Sequence, residues 1–275
     1  MTETKNALVS MRGIDKVFYG QYANHKVDFD LFAGEVHSIL GENGAGKTTL
    51  MNCLAGLYTP DGGSIYIEGE PVILSNPKVA FGHGIGMVHQ HFMLVPVFTV
   101  WENIILGLKD LAVVIRKEEV IARIREISAK YGLAVDPEAK IWQLSIGEQQ
   151  RVEILKMLYR GTKVLILDEP TSVLTPQEIR EFFKTIRNMT AAGHGIVLIS
   201  HKIEEIMEIS DRLTVLRKGE RIATRPAGGI LKEEIANMMV GNDLENITLG
   251  SERKEPGDAL FECENICLKD ERGTQ

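Results

Sequence analysis

The chain has 275 residues, enough for one large domain or two small ones with a continuous hydrophobic core. Hydrophobic residues make up 44% and charged residues 25%, a globular composition that excludes a mainly disordered chain. The formal net charge of −7 gives no long-range attraction to nucleic acid or an anionic bilayer, so nucleic acid is not predicted as a partner. No stretch approaches the ~20 apolar residues of a membrane-spanning helix, so any membrane connection is expected to run through a partner.

The N-terminal region predicts a small antiparallel β layer. Residues up to position 34 and residues 63–73 alternate apolar and polar side chains. Turn signals such as Asp61-Gly62-Gly63 interrupt them.

Four short apolar runs predict strands of a parallel sheet covered by helices. The runs EVHSIL, GMVH, VLIL and IVLIS precede Gly41, Gln90, Asp168 and His201 respectively. Ligands of parallel sheets bind beyond the carboxyl ends of the strands. The four polar ends are therefore expected to meet in one crevice.

A helical insertion is predicted over about residues 91–160. Residues 117–131 and 149–160 carry apolar side chains at helical spacing, for example Val152, Leu155 and Leu158.

The segment GENGAGKTT at residues 41–49 fits the phosphate-binding loop G-x-x-x-x-G-K-[ST] between a predicted strand and a predicted helix. Its glycines let the backbone wrap around phosphates, and the amides with the helix N-terminus favour an anion. Lys47 is expected to reach the β- and γ-phosphates and Thr48 to bind Mg²⁺. The residues assigned to the nucleotide are Gly41, Asn43, Gly44, Ala45, Gly46, Lys47, Thr48 and Thr49.

The segment VLILDEP supplies two adjacent carboxylates. Asp168 is placed to bind Mg²⁺, and Glu169 is a candidate base for a water molecule. Adjacent strand residues point to opposite sides, so the two groups need not share a role. A solvated acidic turn is a poor alternative after four aliphatic residues.

The segment QLSIGEQQRVEIL at residues 143–155 places Ser145 and Gly147 just before a helix, where they would form another anion site. Taken alone, Ser145 is most simply a helix cap. Together with the phosphate loop and VLILDEP, this segment resembles the signature LSGGQ of the ATP-binding subunits of ABC transporters. The resemblance covers about residues 7–245. It implies an α/β P-loop NTPase fold, with a RecA-like parallel sheet core, a small antiparallel β layer and a helical insertion.

The resemblance implies roles for further residues. Gln90 matches the glutamine that senses magnesium and attacking water, His201 the histidine that contacts the γ-phosphate, and Phe18 an aromatic that stacks on adenine. Without the resemblance, Phe18 would be read as a core residue and His201 as a loop histidine. In this family ATP is clamped between the phosphate loop of one domain and the signature of another, and residues after Gln90 dock on a transmembrane subunit.

Three residues depart from the family pattern. Ile146 and Glu148 replace the usual glycine and glutamine of the signature, and Thr175 replaces an aspartate. The Glu148 carboxylate would repel the γ-phosphate of ATP bound to a partner domain. It also interacts favourably with the N-terminus of its own helix.

The sequences of these motifs are similar to those in the N-terminal half of fused two-domain ATPases that serve importers of nucleosides or simple sugars. It implies an ATPase using ATP and Mg²⁺, peripheral on the cytoplasmic face of the cell membrane. Transmembrane permease subunits are the expected direct partners and a substrate-binding protein an indirect one. An alternative is a soluble ABC ATPase acting on ribosomes or DNA. A P-loop GTPase is disfavoured because the chain has no N-K-x-D motif.

The C-terminal part predicts a domain boundary. Residues 1–245 are expected to form the ATP-binding domain and residues 246–257 a polar linker. Residues 258–275 are expected to start a truncated second ATP-binding domain, because ALFECENICLKD has the rhythm of ALVSMRGIDKVF at residues 7–18. A C-terminal edge strand with a ragged tail is the alternative. The cysteines Cys53, Cys263 and Cys267 are expected to pack rather than bind zinc.

Overall fold

The computed structural model describes residues 7–108, 116–241 and Glu264. The chain divides into two compact units, Met1–Asn242 and Asp243–Gln275, and every element below belongs to the first. The predicted linker at 246–257, both C-terminal cysteines and, apart from Glu264, the predicted start of a second domain lie outside the described residues.

The described residues form both strands and helices, here numbered in chain order. The strands are β1 (Ala7–Phe18), β2 (Gln21–Phe32), β3 (Val36–Leu40), β4 (Gly62–Ile67), β5 (Glu70–Val72), β6 (Ile85–Val88), β7 (Val164–Asp168), β8 (Gly195–Ile199), β9 (Arg212–Arg217) and β10 (Glu220–Pro226). The helices are α1 (Lys47–Leu54), α2 (Pro77–Gly82), α3 (Val100–Ile105), α4 (Lys117–Tyr131), α5 (Ile146–Tyr159), α6 (Pro176–Ala191), α7 (Ile203–Ile209) and α8 (Lys232–Val240), with a 3-10 turn at Ile141–Gln143.

A four-stranded antiparallel sheet has the strand order β2-β1-β4-β5. Val9, Met11 and Ile14 of β1 are fully buried, as are Val27 and Leu31 of β2. Their alternation with more exposed residues gives the sheet one apolar face. The predicted antiparallel layer is confirmed.

A six-stranded sheet with the order β10-β9-β3-β8-β7-β6 forms the centre. Its strands pair in parallel except for β10, which is antiparallel to β9. All residues of β3, β6, β7 and β8 are buried, because both faces of the sheet are covered. Along β7, Leu165 and Leu167 join the core formed with the helices, and Ile166 joins the core shared with α1 and the antiparallel sheet. The four predicted parallel strands are confirmed.

The helical insertion contains α3, α4 and α5. The bounds of α4 coincide with the predicted residues 117–131. Helix α5 begins at Ile146, three residues before the predicted start at 149, because Ser145 caps it and residues 146–148 form its first turn. None of the helices in the described ranges is long and apolar enough to cross a bilayer.

Candidate functional site

The carboxyl ends of the parallel strands surround a cavity of about 480 Å³. The phosphate loop lies between β3 and α1, and the polar residues after β6, β7 and β8 face it. The cavity is lined by Ala23, Asn43, Gly44, Ala45, Gly46, Lys47, Thr48, Thr49, Gln90, Asp168, Glu169, Ser172 and His201. The sequence prediction that these strand ends converge is therefore confirmed.

Two glycines let the phosphate loop pack closely. Gly46 precedes α1 with φ +95°, and a Cβ there would lie 2.2 Å from the Ala23 carbonyl oxygen. A Cβ on Gly41 would lie 2.3 Å from the carbonyl oxygen of Leu216. Gly41 thus allows the loop to pack against the backbone of β9, and it is not among the described residues that line the cavity. The N-terminus of α1 opens toward the cavity, where its amide groups favour an anion.

Lys47 is a buried cation at the base of the loop. Its Nζ donates hydrogen bonds to the carbonyl oxygens of Gly41 at 2.8 Å and Glu42 at 2.9 Å. Burial lowers the pKa of Lys47, and the nearby carboxylates of Glu169 and Asp168 oppose that shift. The ammonium is therefore held among carbonyl dipoles and beside two acidic groups.

Thr48 and Asp168 form an oxygen-rich corner of the cavity. The Thr48 hydroxyl donates to Asp168 Oδ1 at 3.4 Å, and Gln90 lines the same cavity. Burial raises the pKa of Asp168 and the Glu169 charge adds to that, against the Thr48 hydrogen bond and the charges of His89 and Lys47. These oxygen donors fit Mg²⁺, which prefers hard oxygen ligands. Within the described residues, no group of three or more His, Cys, Asp or Glu side chains is arranged to hold a metal ion. A Mg²⁺ site does not need such a group, because Mg²⁺ commonly keeps water and phosphate ligands.

Glu169 faces the same cavity as Asp168 because β7 ends at Asp168. Glu169 adopts a left-handed conformation with φ +50°, outside the alternation of the strand. Such a conformation costs a non-glycine residue about 1–3 kcal/mol. Its amide donates to the carbonyl oxygen of Ile199 at 2.9 Å, and its Oε1 lies 2.8 Å from Nδ1 of His201. The side-to-side alternation expected of strand residues therefore does not extend to Glu169, and both carboxylates line one cavity.

Phe18 lies at the end of β1, and it is not among the described residues that line the cavity. Its ring packs edge-to-face on Tyr58 with centroids 5.3 Å apart, and Lys16 Nζ lies 5.3 Å from its centroid. The assignment of Phe18 to adenine stays a prediction. Ala23 and Ser172 line the cavity although sequence reasoning missed them. Ala23 carries no chemical signal, whereas Ser172 follows Glu169 by three residues in the same turn.

Ser145 and Gly147 lie at the start of α5, outside the described lining of the cavity. The Ser145 amide and hydroxyl both donate to Glu148 Oε2 at 2.9 Å, and the Glu148 amide returns a bond to the hydroxyl at 3.3 Å. This reciprocal arrangement is a capping box. Thr175 and Glu178 form the same arrangement at the start of α6. Two of the three departures from the family pattern thus serve as helix caps.

The fold and this cavity define an ATP-binding cassette, and the comparisons with known proteins agree. The sequence profile described as "ABC transporter" matches residues 24–172, so the chain belongs to the ABC transporter family. Among solved structures, the ADP conformation of MJ1267, an ATP-binding cassette of an ABC transporter, is 25% identical with a TM-score of 0.75. The match covers 89% of this chain and 99% of that one. The predicted P-loop NTPase fold is confirmed.

Curated relatives are import ATP-binding proteins. The nucleoside import ATP-binding protein NupA of Lactococcus lactis subsp. cremoris is 45% identical over 97% of this chain and 53% of its own length. The guanosine import ATP-binding protein NupO of Bacillus subtilis is 47% identical over 98% of this chain and 52% of its own. The glucose import ATP-binding protein TsgD13 of Haloferax volcanii is 40% identical over 99% of this chain and 54% of its own. The chain therefore spans about half the length of the curated relatives it matches.

Proposed function

We propose that this chain binds and hydrolyses ATP to power an ABC importer. The observation that carries the proposal is the single cavity in which the phosphate loop meets Gln90, Asp168, Glu169 and His201. A phosphate-binding loop, an oxygen-rich metal corner and a carboxylate paired with a histidine are together the parts that phosphoryl transfer to water requires.

The phosphates of ATP would bind to the amides of the loop, with Lys47 beside the β- and γ-phosphates. To do so, the Lys47 ammonium exchanges hydrogen bonds to its own loop carbonyls for bonds to phosphate oxygens. The phosphate oxygens carry negative charge whereas the loop carbonyls are neutral, so the ammonium gains an ion pair, which favours that exchange. Phe18 would stack on the adenine after moving from its contact with Tyr58.

Thr48, Asp168 and Gln90 would hold Mg²⁺, whose charge would offset that of the phosphates when it is bound. Glu169 would accept the proton of the attacking water. His201 would contact the γ-phosphate while its Nδ1 stays bonded to Glu169, which keeps the carboxylate oriented.

The partners follow from the family and from the relatives' names. Ser145 and Gly147 would face the nucleotide of a second cassette, and transmembrane permease subunits would receive the cassette pair at the membrane's cytoplasmic face. A substrate-binding protein would act indirectly through those subunits. Nucleosides or simple sugars are the proposed cargo, because relatives at 40–47% identity are described as nucleoside, guanosine and glucose import proteins.

Calorimetric titration of the chain with Mg-ATP tests the proposal. Lys47→Met should weaken ATP binding sharply and leave the fold intact, because burial already disfavours the charge that it removes. Lys163→Ala is the matched control, since Lys163 is a surface lysine paired with Glu68 at 2.8 Å. Equal ATP affinity in the wild type and Lys47→Met would exclude this loop as the nucleotide site.

A further inference from the structure

The turn that follows β7 is fixed by contacts to its successive carbonyl groups. The Ser172 amide and hydroxyl donate to the carbonyl oxygen of Glu169, at 3.2 and 2.9 Å. Gln150, a buried residue of α5, donates from Nε2 to the carbonyl oxygen of Pro170 at 2.9 Å. The backbone beside the left-handed Glu169 is thus held from within the turn and from α5.

Thr171 is held at both of its polar ends by one ion pair. This residue is only 2% exposed, and its hydroxyl donates to Oε2 of Glu205. Its carbonyl oxygen accepts a bond from Lys202 Nζ at 3.1 Å, and that Nζ lies 3.0 Å from Oε1 of Glu205. The three groups close a ring, so Thr171 cannot turn without breaking a charge-assisted hydrogen bond.

The same part of the chain also contacts the Glu169 side chain. Lys202 and Glu205 follow His201, whose Nδ1 lies 2.8 Å from Glu169 Oε1. Residues 201–205, which lead from β8 into α7, therefore restrain Glu169 twice, through its carboxylate and through the backbone two residues further on. Neither Lys202 nor Glu205 is among the described residues that line the cavity.

We infer that Glu205, acting with Lys202, is a positioning residue that holds Thr171 and thereby keeps the Glu169 carboxylate turned toward the nucleotide cavity. The inference rests on the ATPase function proposed above. A left-handed residue persists where its surroundings over-determine it, and the ring around Thr171 supplies that restraint. Removing the ring should misplace the reacting carboxylate while the phosphate loop, on another strand, keeps its shape.

Four variants separate this role from a general loss of structure. Glu205→Ala opens the ring, and Thr171→Val removes the hydroxyl at nearly unchanged volume. Thr171→Ser keeps the hydroxyl and serves as the conservative variant. Glu204→Ala is the matched control, because it removes the same charge one residue away; Glu204 is 71% exposed and pairs with Lys232 at the surface, whereas Glu205 is 15% exposed.

The measurements are kcat and KM for ATP hydrolysis by the transporter assembled with co-expressed permease subunits, and the affinity and stoichiometry of ATP binding to the chain from calorimetry. Glu205→Ala and Thr171→Val should lower kcat about tenfold to a hundredfold, as a misplaced catalytic group does. Their KM, ATP affinity and binding stoichiometry should stay at wild-type values. Thr171→Ser and Glu204→Ala should hydrolyse ATP like the wild type.

The stoichiometry reports the fraction of folded sites. A fall in stoichiometry that accounts for the whole loss of kcat would indicate a purely structural role and overturn the inference. Wild-type kcat in both Glu205→Ala and Thr171→Val, or equal losses in Thr171→Ser and Thr171→Val, would also overturn it. An assembled wild-type transporter without Glu169-dependent hydrolysis would overturn the proposed function itself, and this inference with it.

Discussion

At the scale of single residues, the cavity holds charges that the fold alone does not favour. Burial raises the pKa of Asp168 and lowers the pKa of Lys47, so in both cases the folded protein disfavours the charged form. Both groups are placed where a nucleotide phosphate and a divalent cation would compensate them. The site is thus kept at some cost to the stability of the free protein.

Replacing Asp168 should increase the stability of the nucleotide-free protein. For a carboxyl group with a raised folded-state pKa, the stabilising contribution is present below the unfolded pKa and is lost as the pH rises through the folded value. Asp168→Asn should therefore melt at a higher temperature than the wild type at pH 8 without nucleotide, and the gain should vanish near pH 4. Scanning calorimetry in EDTA checks this, with the exposed Glu220→Gln as control; a lower melting temperature at pH 8 would contradict it.

Glu169→Gln should separate nucleotide binding from turnover. The amide keeps the shape and hydrogen-bonding reach of the carboxylate and lacks its basicity. We expect unchanged ATP affinity and a loss of ~10²–10⁴ in hydrolysis rate in the assembled transporter. Hydrolysis at the original rate would assign the base to another group.

At the scale of elements, His37 joins three strands in the interior. From β3, its Nδ1 donates to the carbonyl oxygen of Asp30 on β2 at 2.8 Å, and its Nε2 accepts from the Thr214 hydroxyl on β9 at 2.8 Å. The neutral ring therefore links the antiparallel sheet to the parallel one. Burial, followed by the charge of Arg212, lowers its pKa to about 3, against the Asp30 carbonyl and the Asp30 charge.

This histidine should make the fold sensitive to mild acid. The unfolded chain takes up the proton near pH 6.5 and the folded chain only near pH 3, so stability is lost as the pH falls between these values. Between pH 7.5 and 5.0 the wild type should lose about 2 kcal/mol more than His37→Gln in its free energy of unfolding. Urea titrations at both pH values measure the difference. The exposed His83→Gln should behave like the wild type, and equal pH dependence in His37→Gln would refute the role.

Sequence patterns predicted helices and strands well where the local pattern of apolar residues determines the secondary structure. Helix α4 and the four buried strands have clear periodicity or unbroken apolar runs, and strand order brought their polar ends together. Sequence patterns did not predict the features of the site that depend on tertiary contacts. The left-handed Glu169 depends on bonds to Ile199 of β8 and to His201 just after that strand, and the lining role of Ala23 depends on the approach of β2 to Gly46.

At the scale of the whole molecule, residues 91–97 form the predicted docking segment for a transmembrane subunit. The structure divides its apolar side chains: Leu94 packs against the helical core, while Met93 and Val97 are 68% and 66% exposed. Buried side chains fix the backbone beneath. Glu153 accepts a bond from the Met93 amide at 2.8 Å, and Asn103 bonds both the amide and the carbonyl of Val95.

The docking segment is thus connected to the helix that begins at the signature. Glu153 lies on α5, the helix that Ser145 caps, and Lys156 of the same helix donates to the Met93 carbonyl oxygen at 3.3 Å. The backbone N–H and C=O of Met93 are both bonded to side chains of α5, while the Met93 side chain is exposed.

Charged substitutions on this surface should uncouple the protein from the proposed membrane partner and spare the nucleotide site. Met93→Glu and Val97→Glu replace exposed apolar side chains, so the fold should tolerate them, whereas burying the new charge against a permease subunit would be costly. Co-purification with co-expressed permease subunits and transport should fall, and ATP affinity of the chain should stay unchanged. Ile73→Glu, at an 80% exposed position beside β5, is the control expected to retain both. Full transport in the Met93→Glu, Val97→Glu double variant would place the docking surface elsewhere on the cassette.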